Sequence, residues 1–299
     1  MRLASYRAPG AFAGEPGREQ RLGVLVGERL VATAELTDGA IATMSDLLAD
    51  TTAGLERINY GLAASLFGPD SGLGLDEVDL LPPVPRPGKL VCIGVNYRSH
   101  ADEQDRPPPT SPVIFAKLTT ALVGHGATVE WDPELTGAVD AEAELGVVIG
   151  RTCRRASRRE ALDFVLGYTC VNDVSARDLQ YADKQFTRAK SLDTFGPMGP
   201  LLVTADEVPD PQALDLRGYV NGELRQHAPT SDMIFGVAEL IEFCSRAFTL
   251  EPGDVIATGT PAGVGWFREP RLVLGDGDEM VVEIEGIGRL ANRCRVSAG

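Results

Sequence analysis

The stretch DAEAELGVVI, residues 140–149, sets three acids two positions apart directly before an apolar run. Alternate side chains of a β-strand point to the same face, so this spacing predicts a strand with Asp140, Glu142 and Glu144 side by side. Like charges at the edge of a core are costly unless a cation neutralises them. A hard divalent metal, which takes carboxylate oxygens at short distance, is the simplest such cation. The stretch therefore predicts a metal site beside a buried strand.

The composition is that of a globular enzyme. Of the 299 residues, 43% are hydrophobic and 24% are charged, which suits one large or two modest domains with a sizeable core. The formal net charge of −15 opposes binding to nucleic acid or to an anionic lipid surface. We therefore expect neither a nucleic-acid partner nor a membrane partner. A small anionic substrate remains compatible with this charge if a metal and a few basic residues line the site.

The cysteines and the hydropathy pattern favour a cytoplasmic location. The five cysteines are scattered and show no CxxC spacing, which argues against a zinc ribbon and a disulfide framework. We expect them to be buried, reduced thiols. The first ten residues contain no apolar segment of the kind found in secretory signals. No stretch approaches the roughly 20 apolar residues that a membrane-spanning helix requires.

A proline-rich segment predicts the division of the chain into domains. Residues 80–88, LLPPVPRPG, contain four prolines, which fit neither a helix nor a central strand. We interpret residues 76–88 as an extended linker between a small N-terminal α/β domain, residues 1–75, and a catalytic domain, residues 89–299. The N-terminal domain is expected to hold a hairpin at 22–34 and helices at 40–48 and 55–67.

Short strands dominate the prediction for the second domain. Alternating or apolar runs predict the strands, a capping pattern of Ser175 and Asp178 predicts a helix at 175–184, and Asn221-Gly222 predicts a hairpin. Residues 102–112, rich in proline, are expected to form a mobile loop that closes over substrate. The fold class is therefore α+β and β-rich, a sandwich or roll rather than a doubly wound sheet. The predicted strands are 89–95, 112–117, 164–171, 254–258 and 279–285, with a further helix at 233–248.

The metal site needs a third ligand, and Asp173 is the best candidate. It follows the apolar strand 164–171 and precedes the helix that starts near residue 175. Three histidines in the whole chain are too few for a histidine-rich zinc centre. Carboxylate ligands favour Mg²⁺ or Mn²⁺, with Ca²⁺ a weaker alternative. From the pattern alone, a solvated acidic edge with Asp173 as a helix cap is an equally good interpretation.

A histidine and a lysine are candidate catalytic groups. His100 and Glu103 are three residues apart, so on a helical turn Glu103 can orient His100 as a general base. The alternative is a surface histidine with an acid nearby by chance. Lys190 could hold a carboxylate or stabilise an enolate, unless it is a solvated surface lysine. The glycine-rich turn 259–265 could bind an anion through its backbone N–H groups, or be a plain tight turn.

Taken together, five motifs resemble the fumarylacetoacetate hydrolase family, in that family's order and over about residues 85–295. The closest likeness is to its shorter members, of the acylpyruvase and 2-hydroxyhepta-2,4-diene-1,7-dioate isomerase type. The resemblance implies a mixed β-sandwich roll that is usually dimeric, so a homodimer is expected. The motifs are IGVNYRSH at 93–100, EAEL at 142–145, VNDVSARD at 171–178, KSLDTF at 190–195 and GTPAGV at 259–264.

The resemblance also implies roles for individual residues. Glu142, Glu144 and Asp173 would bind Mg²⁺ or Mn²⁺. The dyad of His100 and Glu103 and the metal-proximal Lys190 would be catalytic. The implied substrate contacts are Gln180 and Thr260, to which Arg98 and Tyr181 are added as candidates for the distal end of the substrate.

The implied substrate is a 2-oxo acid with a second carbonyl or carboxylate. Our first hypothesis is a divalent-metal-dependent hydrolase that cleaves a C–C bond in acylpyruvate-like compounds through a metal-stabilised enolate. The alternative with the same site is an oxaloacetate decarboxylase or a tautomerase of 2-hydroxy-dienoates. An alternative of another class is a non-catalytic metabolite-binding protein, which predicts loss of the dyad or of a metal ligand.

Overall fold

A computed structural model describes residues 1–8, 20–68 and 71–297 of the chain. Residues 9–19 and 69–70 of the predicted N-terminal domain and residues 298–299 of the predicted catalytic domain lie outside this part. The described strands are β1 (Arg2–Arg7), β2 (Arg21–Val26), β3 (Arg29–Ala32), β4 (Leu73–Gly74), β5 (Asp79–Leu80), β6 (Leu90–Gly94), β7 (Val113–Ala116), β8 (Leu122–Val123), β9 (Thr128–Trp131), β10 (Val139–Asp140), β11 (Ala143–Ile149), β12 (Val165–Asn172), β13 (Ser175–Ala176), β14 (Gly196–Thr204), β15 (Asp215–Val220), β16 (Glu223–Pro229), β17 (Val255–Ala257), β18 (Glu279–Ile284) and β19 (Gly288–Val296).

Helices are few and mostly short. They are α1 (Thr33–Leu36), α2 (Met44–Ala49), α3 (Thr51–Ala64), α4 (Arg98–Asp102), α5 (Arg177–Asp183), α6 (Thr187–Lys190) and α7 (Val237–Ala247). Helix α2 starts at a capping box, in which Thr43 and Asp46 each bond the other's backbone N–H. In α7, Val237, Leu240 and Cys244 share one buried face, as the amphipathic pattern at 233–248 predicts.

Two large sheets form the body of the molecule. The larger sheet has the order β4-β3-β2-β1-β14-β12-β11-β17-β6-β7, with β5 added to β1 and β8 to β14. The smaller has the order β16-β15-β18-β19-β9, and β10 pairs separately with β13. Both large sheets mix parallel and antiparallel pairs. The predicted α+β, β-rich sandwich roll is therefore confirmed.

Strand β11 lies in the middle of the larger sheet and is buried on both faces. Leu145 and Val147 pack in the same apolar cluster as Ile284 of the smaller sheet. Val148, on the opposite face, packs in a cluster with Ile58 of α3. The alternation of a strand thus directs successive side chains of β11 toward two different cores. The acids at its start are held by a fully packed scaffold.

The N-terminal segment continues the larger sheet. Strand β1 pairs antiparallel with β14, with Leu3 opposite Leu202, and β2 and β3 extend the sheet beyond it. The proline-rich segment packs against β1, where the Ser5 hydroxyl donates to the Pro83 carbonyl at 2.7 Å. The division into domains 1–75 and 89–299 with a linker at 76–88 stays a prediction.

Several local predictions are confirmed and one is wrong. The hairpin at Asn221-Gly222 forms between β15 and β16, with both turn residues at positive φ. The five cysteines are free and buried. The predicted cap at Ser175 is absent, because Ser175 pairs with Asp140 in a short ladder and its hydroxyl donates to the Asp173 carbonyl. The helix therefore begins at residue 177. Among the described residues, no helix combines the length and apolar character needed to cross a bilayer.

Candidate active site

Antiparallel pairing of β11 with β12 brings the three predicted metal ligands together. Ala143 lies opposite Asn172, and the backbone N–H of Asp173 donates to the Glu142 carbonyl at 2.9 Å. The Glu-x-Glu pair at the start of one strand thus meets the acid at the end of its neighbour. One carboxylate oxygen from each of Glu142, Glu144 and Asp173 lies within 4.8 Å of the others, and all three residues are buried.

Three buried cations contact two of these acids. Lys190 Nζ lies 2.6 Å from Glu142 Oε2 and 2.7 Å from Asp173 Oδ2. Lys117 Nζ is 2.8 Å from Asp173 Oδ1, and Arg177 Nη1 is 2.7 Å from Glu142 Oε1. Lys190 was predicted from the sequence, whereas Lys117 and Arg177 were missed. The signal for Lys117 was its position as a lone cation at the end of the apolar run 112–117.

Asp140 does not join this cluster, contrary to the sequence prediction. It lies on the separate strand β10, and its Oδ2 accepts from Arg177 Nη2 at 2.8 Å and Nε at 3.0 Å. Its Oδ1 accepts from the backbone N–H of Gly265 at 2.9 Å. The reason is a break in the strand between Asp140 and Ala143, so the two-residue alternation does not extend back to Asp140. Asp140 instead links Arg177 to the last residue of the glycine-rich turn.

The two glutamates have opposite electrostatic environments. Burial raises the pKa of Glu142, but Lys190 and Arg177 outweigh burial and lower the pKa to about 2. Burial raises the pKa of Glu144 well above its ordinary value, and the charges of Asp173 and Glu142 raise it further. Glu144 accepts one backbone N–H bond, from Gly259 at 2.9 Å, and forms no ion pair within the described ranges. Glu144 is therefore the acid that still lacks a cation.

The residues present fit a hard divalent ion. Carboxylate oxygens are the ligands that Mg²⁺ and Mn²⁺ prefer, and three of them converge here. Asp173 Oδ1 is paired with Lys117, whereas Glu144 is buried and has no ion pair among the described residues. A buried carboxylate without a cation is costly, and a metal would neutralise it. Glu142, Glu144 and Asp173 would hold such an ion.

The environment of Glu144 gives the metal-free protein a specific pH dependence. An acid with a raised folded-state pKa contributes stability that is full below its ordinary pKa of 4.5 and is lost as pH rises through the folded value. We therefore expect Tm in EDTA to fall over the pH range above 4.5, and Glu144→Gln to remove most of this slope. Thermal unfolding of both proteins across this range is the measurement. An unchanged slope in the variant would assign the effect to another group.

The predicted pair of His100 and Glu103 is formed, with His100 buried and Glu103 half-buried. His100 lies on α4 with 5% of its surface exposed, and its Nδ1 is 2.5 Å from Glu103 Oε1. Glu103 Oε2 accepts the backbone N–H of Gly263 at 2.9 Å, so the dyad is fixed between α4 and the glycine-rich turn. Phe267 packs edge-to-face against the imidazole. With Nδ1 directed at Glu103, Nε2 is the nitrogen left for chemistry, and the role of general base stays a prediction.

One small cavity connects the dyad with the acids. Its volume is about 210 Å³, and His100, Glu142, Glu144 and Lys190 all line it. Residues 104 and 106 of the loop at 102–112 reach its wall, while closure of that loop stays a prediction. The remaining described lining residues are Ile93, Gly94, Val95, Phe115, Arg177, Gln180, Tyr181, Lys184, Phe186, Thr260 and Phe267.

The predicted substrate contacts differ in how they are placed. Gln180, Tyr181 and Thr260 line the cavity. The Thr260 hydroxyl already donates to the Ala143 carbonyl at 2.9 Å, so its proton is used within the protein. Arg98 is not among the lining residues, since its guanidinium donates to backbone carbonyls of residues 232 and 233. This placement gives no support to the substrate role predicted for Arg98.

Known proteins resemble the chain over most of its length. The oxaloacetate tautomerase YisK of Bacillus subtilis (strain 168) is 48% identical over 222 residues, covering 73% of this chain and 74% of that protein. The mitochondrial oxaloacetate tautomerase FAHD2A of Homo sapiens is 41% identical over 296 residues, covering 98% and 91%. A solved structure of maleylpyruvate hydrolase from Sphingobium sp. SYK-6, in complex with manganese(II) ion and pyruvate, is 32% identical with a TM-score of 0.78, covering 99% and 100%.

The family model for the fumarylacetoacetate (FAA) hydrolase C-terminal region matches residues 89–295. This range contains the paired strands, the acids and the dyad described above, and it confirms the resemblance inferred from the five motifs. The cytoplasmic location, the homodimer and the absence of nucleic-acid and membrane partners stay predictions. The chain belongs to the fumarylacetoacetate hydrolase family of enzymes.

Proposed function

We propose that this chain is a divalent-metal-dependent tautomerase that interconverts the enol and keto forms of oxaloacetate. The observation that carries the proposal is that His100, buried and hydrogen-bonded to Glu103, lines the same small cavity as Glu142, Glu144 and Lys190. Relatives named as oxaloacetate tautomerases support the reaction type. The proposal departs from our first hypothesis of hydrolysis. It shares its substrate with one alternative, oxaloacetate decarboxylation, and its reaction type with the other, tautomerisation of a 2-hydroxy-dienoate.

The closed end of the cavity suits a 2-oxo acid. A bound Mg²⁺ or Mn²⁺ ion, held by Glu142, Glu144 and Asp173, would supply a Lewis acid for the oxygens of such an acid. Lys190 is buried and reaches the same space, so its ammonium group offers further positive charge to an enolate oxygen. The aromatic ring of Phe115 lies 5.2 Å from Lys190 Nζ and helps to exclude water around it.

The dyad can carry the proton that the reaction moves. Ketonisation removes a proton from the enol oxygen and adds one to C3, so it neither consumes nor releases water. His100 would accept the first proton at Nε2 while Nδ1–H donates to Glu103. The Glu103 carboxylate stabilises the resulting imidazolium, which then protonates C3. Because His100 is almost fully buried, bulk water competes poorly for this proton.

Ketonisation of enol oxaloacetate is the test. With Mg²⁺ or Mn²⁺ present, purified protein is expected to accelerate the loss of enol ultraviolet absorbance without matching release of pyruvate. Protein treated with EDTA is the control, since removal of the metal should return the rate to the background. A coupled assay for pyruvate detects decarboxylation in the same sample. If the metal-loaded protein leaves the enol decay unchanged, the tautomerase proposal is wrong.

Hydrolysis of an acylpyruvate-like compound is the second candidate. It is favoured by the structural likeness to maleylpyruvate hydrolase, which extends over 99% of this chain. Here the pair of His100 and Glu103 would take a proton from water, which attacks the distal carbonyl. The products would be a carboxylic acid and a pyruvate enolate. Assays with acetylpyruvate and fumarylpyruvate separate the two candidates, because only hydrolysis releases pyruvate from these compounds.

A further inference from the structure

We propose that Arg106 and Lys184 bind the distal carboxylate of the substrate and make the site selective for dianionic 2-oxo acids. This inference rests on the proposed function and names a determinant of its substrate class. Both residues line the cavity that is also lined by His100, Glu142 and Glu144. Neither belongs to the cluster that would bind the metal.

The cations at the closed end of the cavity already have acidic partners. Lys190 and Arg177 both contact Glu142, and all three side chains are buried. Arg177 is also held by Asp140. Lys190 and Arg177 therefore already form ion pairs with acids of the protein before any substrate binds. A second carboxylate on the substrate would need a different cation.

Arg106 and Lys184 meet that requirement. Both are exposed, so they define the solvent side of the cavity. In the described part of the chain, neither side chain forms an ion pair or a hydrogen bond, and Asp183, the acid next to Lys184, pairs with Arg188 instead. The acids among the described lining residues are Glu142 and Glu144, both at the closed end. The solvent side thus carries two unmatched positive charges in a chain whose net charge is −15.

The path between the two ends places the distal carboxylate near these cations. The C1 carboxylate and C2 oxygen of a 2-oxo acid belong at the buried end, because the acids that would hold a metal lie there. The C4 carboxylate of oxaloacetate then points toward the solvent side of the cavity. Phe115 and Phe186 pack edge-to-face on the cavity wall and lower the local dielectric, which strengthens a charge contact. An arginine can bind a carboxylate in bidentate fashion, and a lysine adds a point charge.

The test compares substrates that differ only in the distal charge. Enol oxaloacetate is a dianion, and its 4-methyl ester is a monoanion with the same 2-oxo acid end. Arg106→Gln and Lys184→Gln are each expected to lower kcat/KM for oxaloacetate by about 10- to 100-fold, chiefly through KM, because a hydrogen bond to a charged group is lost. For the ester, kcat/KM should change by less than about threefold, because the ester lacks the charged group that forms this hydrogen bond. Arg159→Gln removes an exposed charge outside the cavity lining and is the matched control.

A binding measurement separates failure of this inference from failure of the proposed function. Malate and lactate share a 2-hydroxy acid end, and malate alone carries a distal carboxylate. Calorimetry on metal-loaded protein should show that Arg106→Gln weakens the binding of malate and leaves the binding of lactate unchanged. Equal effects on malate and lactate, or no effect on either, would overturn the inference. A wild type that binds malate more tightly than lactate but does not ketonise oxaloacetate would overturn the proposed function alone.

Discussion

Replacing Glu144 with glutamine is expected to abolish metal-dependent turnover while leaving the metal-free protein at least as stable as the wild type. Glu144 has no cationic partner in the described structure, and its raised pKa favours the neutral form before metal binds. Glutamine has nearly the same shape and can still accept from the Gly259 N–H. Because the change removes a charged ligand, affinity for Mg²⁺ and Mn²⁺ should fall by more than the roughly 100-fold seen for outer-shell partners.

Glu142→Gln is the variant to compare with Glu144→Gln. Glu142 contacts both Lys190 and Arg177, so its neutral substitute leaves two buried cations short of a partner. Removal of one partner from a buried ion pair typically costs about 3–5 kcal/mol. Calorimetric metal titration and denaturant unfolding in EDTA measure both properties. Both variants should lose metal affinity, and Glu142→Gln alone should lose stability. Equal destabilisation of the two would mean that Glu144 is ionised and paired in the metal-free protein.

His100→Gln is expected to slow turnover by about 10²- to 10⁴-fold with metal affinity nearly unchanged, because a general base contributes this much to rate. His100 contacts Glu103 and Phe267 and donates to none of the three acids. Steady-state kinetics with enol oxaloacetate and calorimetric titration with Mn²⁺ measure the two effects.

His227→Gln is the control for the loss of a histidine. His227 also contacts a carboxylate, with Nε2 2.7 Å from Asp215 Oδ1, but it is exposed on β16 and lies outside the cavity lining. Its replacement should leave turnover unchanged. A parallel loss of metal affinity in His100→Gln would show that His100 acts through the metal site rather than as a base.

The metal cluster was predictable because its parts obey rules of local geometry. Alternate residues on a strand share a face, and a polar residue at the end of an apolar run marks a strand end, so Glu142, Glu144 and Asp173 could be named from the sequence. The dyad followed from the three-residue spacing of a helical turn. The same local rule failed at Asp140, because a break in the strand cannot be read from alternating residue types.

The partners of these acids were not predictable from spacing. Lys117 and Arg177 are brought to the acids from distant elements, and a single lysine or arginine carries no periodic signal. The substrate contact suggested for Arg98 stays a prediction, and its guanidinium donates to the backbone carbonyls of residues 232 and 233. The reaction also remained open, because one metal site and one dyad can serve hydrolysis, decarboxylation or tautomerisation.

The pairing of Arg2–Arg7 with the end of Gly196–Thr204 limits how the chain can be shortened. Cutting within the prolines at 82–87 would strip the five strands β1 to β5 from the sheet and leave backbone N–H and C=O groups of β14 facing water along an open edge. Open edges invite pairing with other chains and aggregation. It would also uncover the apolar cluster that packs on Val148. The N-terminal strands β1 to β5 therefore protect the strands that carry the proposed metal ligands, although they contribute none of those ligands themselves.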